Sequence, residues 1–364
     1  MKKRSTIFRN IKLDPVLLGL VLLAMIFDLV ILYSSSGNSY VAPLKQLARF
    51  TIGFSVMLII AQIPPRTIGN KSYHLYALGI ILLIYVFFMG HIGKGAQRWL
   101  NLGFITFEPS EIMKIALPLV IAQVLNNVSL PISSGNVIKA FFIILLPVSI
   151  TVIQPDLGTA ILLTISGGCV IFLAGLRWKI IFTALATLIT SIPISWHFLH
   201  AYQKRRILTF LDPESMPLTN GYHIIQSKIA IGSGGIWGKG WLSGSQSHMN
   251  FLPENSTDFI FAHICEEFGL IGAILVIALI LAITLRGYSI AINAQDTFSR
   301  LAAAAISTNF FCYAFINIGM TIGILPVVGV PLPLISYGGS FLVTVLSAIG
   351  ILMSIHSNKK LINS

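Results

Sequence analysis

Several ionisable side chains sit in or against long apolar runs, and they define the chemistry on offer. Asp258 stands in LPENSTDFIF, where a polar stretch meets an apolar one. A carboxylate at such an edge can take a proton from a hydroxyl, or it can simply favour the positive end of a helix capped by Thr257 or Ser256. Glu254 is the nearest competing carboxylate. Glu111 and Lys114, in EPSEIMK, are three residues apart, share a helix face and can pair. Asp156 follows a proline at a break between two apolar runs. Ionisable groups at bilayer depth are costly and face a bundle interior or a wet cavity. These three therefore either fix helix packing as ions or form a buried functional cluster, and the third charge favours the second reading. Glu266 and Glu267 lie about two turns beyond Asp258, ~12 Å deeper for Glu266. That is too far to act on the same atom, so they are read as structural or cavity-lining.

The cations form a second set. Arg98 and Trp99 lie in GKGAQRWLNLGF, where a cation beside an indole suits a phosphate on an amphipathic lipid but also makes an ordinary interfacial anchor. Lys204, Arg205, Arg206, Lys228 and Lys239 lie in the stretch 199–258 and suit a polyanion or lipid head groups. In the same stretch, IGSGGIWGKG can cradle phosphate through backbone N–H groups, or it can be a flexible or closely packed re-entrant segment. Its glycines fit no P-loop spacing. His223 and His248 lack ligand spacing, so no metal site is expected on them. Cys169, Cys265 and Cys312 fall singly in apolar runs and read as small core residues.

The elements that must position these groups are membrane helices. The chain of 364 residues is 55% hydrophobic and 10% charged, against about a quarter charged in soluble domains. Apolar runs at roughly 16–33, 44–62, 74–90, 109–126, 138–154, 157–174, 179–198, 259–285, 300–320 and 337–356 predict an all-α integral membrane protein of about ten helices. No stretch reads as a separate soluble domain, so 1–364 is taken as one unit. The basic start, MKKRSTIFRNIKLDP, precedes a run long enough to be retained. An even number of spans puts both termini on one side. Placing them in the cytoplasm leaves 14 of the 24 Lys and Arg inside, among them Lys2, Lys3, Arg4, Arg66, Lys71, Arg286 and Arg300. Nine fall outside, including Lys45, Arg49 and Arg98, with Lys114 inside a helix. The net charge of +12 thus reflects topology, not nucleic-acid binding. The stretch 199–258 then becomes a long structured extracytoplasmic loop between helices 7 and 8. It shares its face of the membrane with the Arg98 loop, the Gln154-Pro155-Asp156 break and ILPVVGVPLPLISYGGS. Ile224, Ile225, Ile229, Trp237 and Trp241 give the loop apolar surface enough to fold back onto the bundle. No sustained internal repeat is visible, which weighs against an inverted-repeat transporter.

Taken together, QIPPR, GKGAQRWLNLGF, EPSEIMKIALP, QPDLGTAI, FLDPES, GYHIIQSKIAIGSGGIWGKGW, FLPENSTDFIFAHICEEFGLIGA and NIGMTIGILPVVGVPLPLISYGGS resemble the SEDS family (shape, elongation, division and sporulation) over nearly the whole chain. The resemblance implies a ten-helix peptidoglycan glycosyltransferase of the bacterial cytoplasmic (inner) membrane. Such an enzyme polymerises lipid II on the outer face, beside a class B penicillin-binding protein transpeptidase and the elongation machinery. It places the essential carboxylate on Asp258, the buried polar cluster on Glu111, Lys114 and Asp156, and the loop pair on Arg98 and Trp99. The arginine after the YQ of the long loop corresponds to Arg206, with Arg205 beside it. Glu108 departs from the family, which reads glutamine before PSE, and adds a negative charge near Glu111.

Such a substrate needs a lipid groove, cations for its diphosphate and a base for a sugar hydroxyl. Asp258 is the expected base, and Arg98, Lys239, Arg205, Arg206 or a divalent cation (Mg or Mn) the expected partners of the diphosphate. The alternatives are a lipid II flippase relaying through Glu111, Lys114 and Asp156, or a non-catalytic scaffold for the penicillin-binding protein.

Overall fold

The structure is a computed structural model and describes residues 13–93, 96–101, 106–128, 132–198, 204, 208–210, 212, 220–248 and 254–358. Its helices are α1 (Pro15–Ser35), α2 (Val41–Gln62), α3 (Pro65–Met89), α4 (Ser110–Val124), α5 (Ser134–Ile153), α6 (Leu157–Leu173) and α7 (Trp178–Phe198). After these come α8 (Asn220–Gly234), the short α9 (Ser245–His248), α10 (Ile260–Ile292), α11 (Thr297–Thr321) and α12 (Ser340–Ser357). Each of the ten apolar runs carries a helix. Among the described residues, α1, α2, α3, α5, α10, α11 and α12 are long and apolar enough to cross a membrane, whereas α6 is a shorter apolar helix of 17 residues.

Three expectations need correction. The chain is not wholly helical: β1 (His91–Gly93), β2 (Ala96–Asn101) and β3 (Thr106–Phe107) form an antiparallel sheet in the order β1-β2-β3. Trp99 pairs with His91 and Leu100 with Phe107, so the Arg98 loop is a hydrogen-bonded hairpin. The stretch 199–258 is not all loop, because α8 occupies fifteen of its residues. Its buried positions Gly221, Ile224, Ser227, Ala230 and Gly234 recur every three or four residues and form a narrow stripe packed against α10. Finally, the eighth apolar run extends to Ile292 and is broken at Gly269, whose φ of 64° and ψ of −155° no helix contains.

The bundle is inside-out by soluble standards. Phe88, Ile59, Phe142 and Leu285 point outward, as a lipid solvent permits. Its centre is α4 and α11. Met113, Ala116, Leu117, Leu119, Val120 and Ile121 bury α4 against α3, α6, α11 and α12. Ala302, Ala303, Ala304 and Ala305 let the neighbours of α11 approach closely. At one end, Arg286 of α10 donates to both oxygens of Asp14, the N-cap of α1, at 2.7 and 3.0 Å.

The break in α10 determines where the glycine-rich run goes. A break releases carbonyls and N–H groups that a bilayer cannot hydrate. Lys239 N and Gly240 N donate to the carbonyls of Glu266 and Glu267, each at 3.0 Å. Leu270 N and Ile271 N donate in return to Gly235 and Ile236, at 2.9 and 3.3 Å. Of the alternatives for IGSGGIWGKG, the closely packed segment is the one observed. Gly238, at φ +80°, has no room for a side chain, since a Cβ there would overlap the Glu267 carbonyl. Gly232, six residues earlier near the end of α8, has nothing within 4 Å of that position. Gly238→Ala is therefore expected to lower stability by at least about 2 kcal/mol, while Gly232→Ala should be neutral or stabilising by up to about 1 kcal/mol. Thermal unfolding in detergent measures both.

Candidate functional site

Asp258 ends the polar stretch two residues before α10, and its backbone is clamped to the 322–339 segment. Asn317 Nδ2, on α11, donates to the carbonyls of Asp258 and Val330 at 2.9 and 2.7 Å. Ser336 Oγ donates to Thr257 O at 2.7 Å, and Tyr337 N to Ser256 O at 2.9 Å. Phe259, buried, stacks on His223 of α8 with ring centroids 5.7 Å apart. Gly329, at φ +79°, faces the carboxylate: an added Cβ would lie 3.5 Å from Oδ2.

A cavity of about 380 Å³ collects most of the expected residues: Arg98, Trp99, Glu111, Lys114, Asp156 and Asp258 line it together. Arg98 Nη1 meets Asp156 Oδ2 at 3.3 Å. The same carboxylate caps α6, accepting from Thr159 N at 3.2 Å and Thr159 Oγ1 at 2.9 Å. Lys114 Nζ meets Glu111 Oε1 at 2.5 Å, one turn away on α4, and lies 5.8 and 5.5 Å from the ring centres of Tyr313 and Phe341. Glu108 lines the cavity with this pair and accepts from the Ser110 hydroxyl at 2.5 Å.

Lys239 is not in this group. Its Nζ pairs with Glu266 Oε1 at 2.8 Å, and that oxygen also accepts from Gln246 N at 2.9 Å. Glu267 accepts from Leu242 N at 3.1 Å and from the Ser34 hydroxyl. The two buried glutamates thus tie the 239–246 segment to α10, the structural role expected of them. Arg205 and Arg206 lie outside the described residues. The three cysteines are free thiols. Among the described residues no group of three His, Cys, Asp or Glu is placed to hold a metal ion.

A second, larger space adjoins the first. An apolar groove of about 1170 Å³ runs between α2, α3, α4 and α12, lined by Ile52, Ile60, Leu75, Ile112 and Ile115 among others. Trp99, Glu111, Gly339 and Ser340 line both spaces and form their common wall. Sequence reasoning missed His223 and Tyr337 in the cavity and Arg49 in the groove. Arg49 is a residue of α2, within the expected run 44–62.

The Glu111–Lys114 pair is almost fully buried, so removing one partner leaves an uncompensated charge. Lys114→Met and Glu111→Gln are each expected to cost about 3–5 kcal/mol, and the double substitution less than their sum. A double-mutant cycle on thermal stability in detergent reads the difference.

With this geometry described, likeness to known proteins can be weighed. The chain is 47% identical to the peptidoglycan glycosyltransferase MrdB of Escherichia coli (strain K12) over 361 residues, covering 99% of this chain and 98% of that one. It is 40% identical to MrdB of Helicobacter pylori (strain ATCC 700392 / 26695) over 321 residues, covering 86% and 83%. Its fold matches a solved chain from a peptidoglycan synthase complex that coordinates polymerization and crosslinking, with TM-score 0.84, 27% identity and coverage of 96% and 99%. It also matches the fold of Thermus thermophilus rod shape determining protein RodA, with TM-score 0.72, 24% identity and coverage of 94% and 96%. The family model described as FtsW, RodA and SpoVE cell cycle protein matches residues 11–361, and the chain belongs to that family.

Proposed function

We propose that this chain is a peptidoglycan glycosyltransferase that polymerises lipid II into glycan strands for cell-wall elongation, with Asp258 as general base. The observation that carries the reading is the common wall between a polar cavity holding Asp258 and a long apolar groove. A polyprenyl-linked sugar is a molecule of that shape, with an apolar tail joined through diphosphate to a polar head. The names of the relatives support the reaction class.

In this reaction Asp258 takes the proton of the acceptor GlcNAc 4-hydroxyl as its oxygen attacks C1 of the donor MurNAc. The C1–O bond to phosphate breaks, undecaprenyl diphosphate leaves with the electron pair, and C1 inverts in a single displacement. Gly329 places no side chain beside the carboxylate, and Asn317 holds the Asp258 backbone in place. Arg98 and Trp99 lie on the cavity wall facing the substrate head. Glu111, Lys114 and Asp156 form the polar floor that sets the shape and field of the cavity.

On the same reading the whole of 1–364 is one polytopic unit of about ten spans in the bacterial inner membrane, with both termini cytoplasmic. Its partner is a class B penicillin-binding protein transpeptidase, a reading supported by the polymerising and crosslinking complex that holds the similar chain.

Purified protein supplied with lipid II, with and without that partner, should build glycan strands, and Asp258→Asn should reduce the rate by roughly 10²-fold or more. A mutant that polymerises at the normal rate removes Asp258 as base. Wild-type protein that moves lipid II across a liposome bilayer without polymerising it would establish the flippase alternative instead.

A further inference from the structure

We infer that Arg49 and the N-terminus of α12 form the site that grips the diphosphate of the polyprenyl substrate; the inference rests on the proposed function. In such a lipid the diphosphate joins tail to sugar. It must therefore lie where the apolar groove meets the polar cavity, at the wall shared by Trp99, Glu111, Gly339 and Ser340.

Arg49 is the cation at that wall. It lines the groove, and its guanidinium carbon sits 4.2 Å over the Tyr337 ring, which itself lines the cavity. A Cβ added to Gly339 would lie 3.8 Å from Arg49 Nε, so the side chain reaches the start of α12. Among the described residues no carboxylate pairs with Arg49, and its buried Nη1 has no hydrogen-bond partner. Of the cations lining the cavity, Arg98 pairs with Asp156 and Lys114 with Glu111. Glu111, the one acid on the common wall, is neutralised by Lys114.

The helix end supplies the complementary half. Gly339 is the N-cap of α12 with no side-chain cap bond, and the helical ladder starts with Val343 N donating to Gly339 O at 3.4 Å. The N–H groups of Ser340, Phe341 and Leu342 therefore have no acceptor within the helix. A guanidinium fork beside free N–H groups at a positive helix end is a good receptor for a doubly charged diphosphate. The Gly338-Gly339 pair keeps side chains away from it.

The test uses full-length protein in phosphatidylcholine nanodiscs, titrated with undecaprenyl diphosphate, undecaprenol and phosphatidylglycerol. Arg49→Gln is expected to weaken undecaprenyl diphosphate roughly tenfold or more and to leave undecaprenol unchanged, with Arg49→Lys in between. Wild-type affinity in Arg49→Gln, or equal loss of both polyprenyl ligands, overturns the inference. Phosphatidylglycerol competing as well as the diphosphate would also overturn it, making Arg49 a general lipid-headgroup contact. If the variants fail to fold, the wild type still decides. Undecaprenyl diphosphate, but not undecaprenol, should protect Arg49 from phenylglyoxal, read by mass spectrometry, and equal labelling in the two would refute the site. The two readings fail separately. Diphosphate held by Arg49 in a protein that makes no glycan sinks only the polymerase; normal polymerisation and binding by Arg49→Gln sink only this site.

Discussion

The structure depends on one constraint: backbone groups released inside a bilayer must find partners within the protein. Helix α10 breaks at Gly269, and the segment 235–240 answers it with four main-chain hydrogen bonds. This reciprocal exchange holds the outer stretch against the bundle and brings α8 alongside α10. It also gives Glu266 and Glu267 something to bind, since they accept N–H groups from 242 and 246. Without the exchange, two buried carboxylates would face hydrocarbon. Glycine is required for a steric reason, because at 238 and 269 two backbones meet at positive φ with no space between them.

The charges near the cavity follow a similar logic. Asp156, Glu111 and Glu266 each have a cation at salt-bridge distance, and each pair joins separate parts of the chain or successive turns of one helix. The Arg98–Asp156 and Glu111–Lys114 pairs line the cavity together with Asp258. Asp258 stands beside a glycine, and Arg49 stands on an aromatic ring instead of a carboxylate. A buried ion pair costs too much desolvation to be a cheap source of stability, so its value here lies in fixing where the remaining groups point.

Much of this was legible in the sequence. Hydropathy placed the long helices within a few residues except at two ends: α3 starts at Pro65, nine residues before the expected 74, because Arg66, Lys71 and His74 dilute its first turns, and α10 runs on to Ile292, seven past the expected 285. The clustering of Asp258, Glu111, Lys114, Asp156, Arg98 and Trp99 followed from motif order and the expected faces. The failures have physical causes. The hairpin at 91–107 is too short and glycine-rich to show strand alternation. The α8 stripe is made of small residues, which carry little hydropathy signal. Lys239 looked available because its partner, Glu266, lies 27 residues away, beyond any local pairing rule. Arg49 lies inside the second apolar run yet counts only as an outer charge, because charge counting takes no account of depth.

The two hydrogen bonds donated by Asn317 reach beyond local packing. One amide holds both the Asp258 carbonyl and the Val330 carbonyl, and it rides on a helix whose outer face carries Phe311 and Phe315. Any neighbouring protein that leans on those phenylalanines and slides α11 along its axis must drag the carboxylate with it. The Asp258 and Val330 carbonyls thus take their position from the seating of α11 through a single side chain.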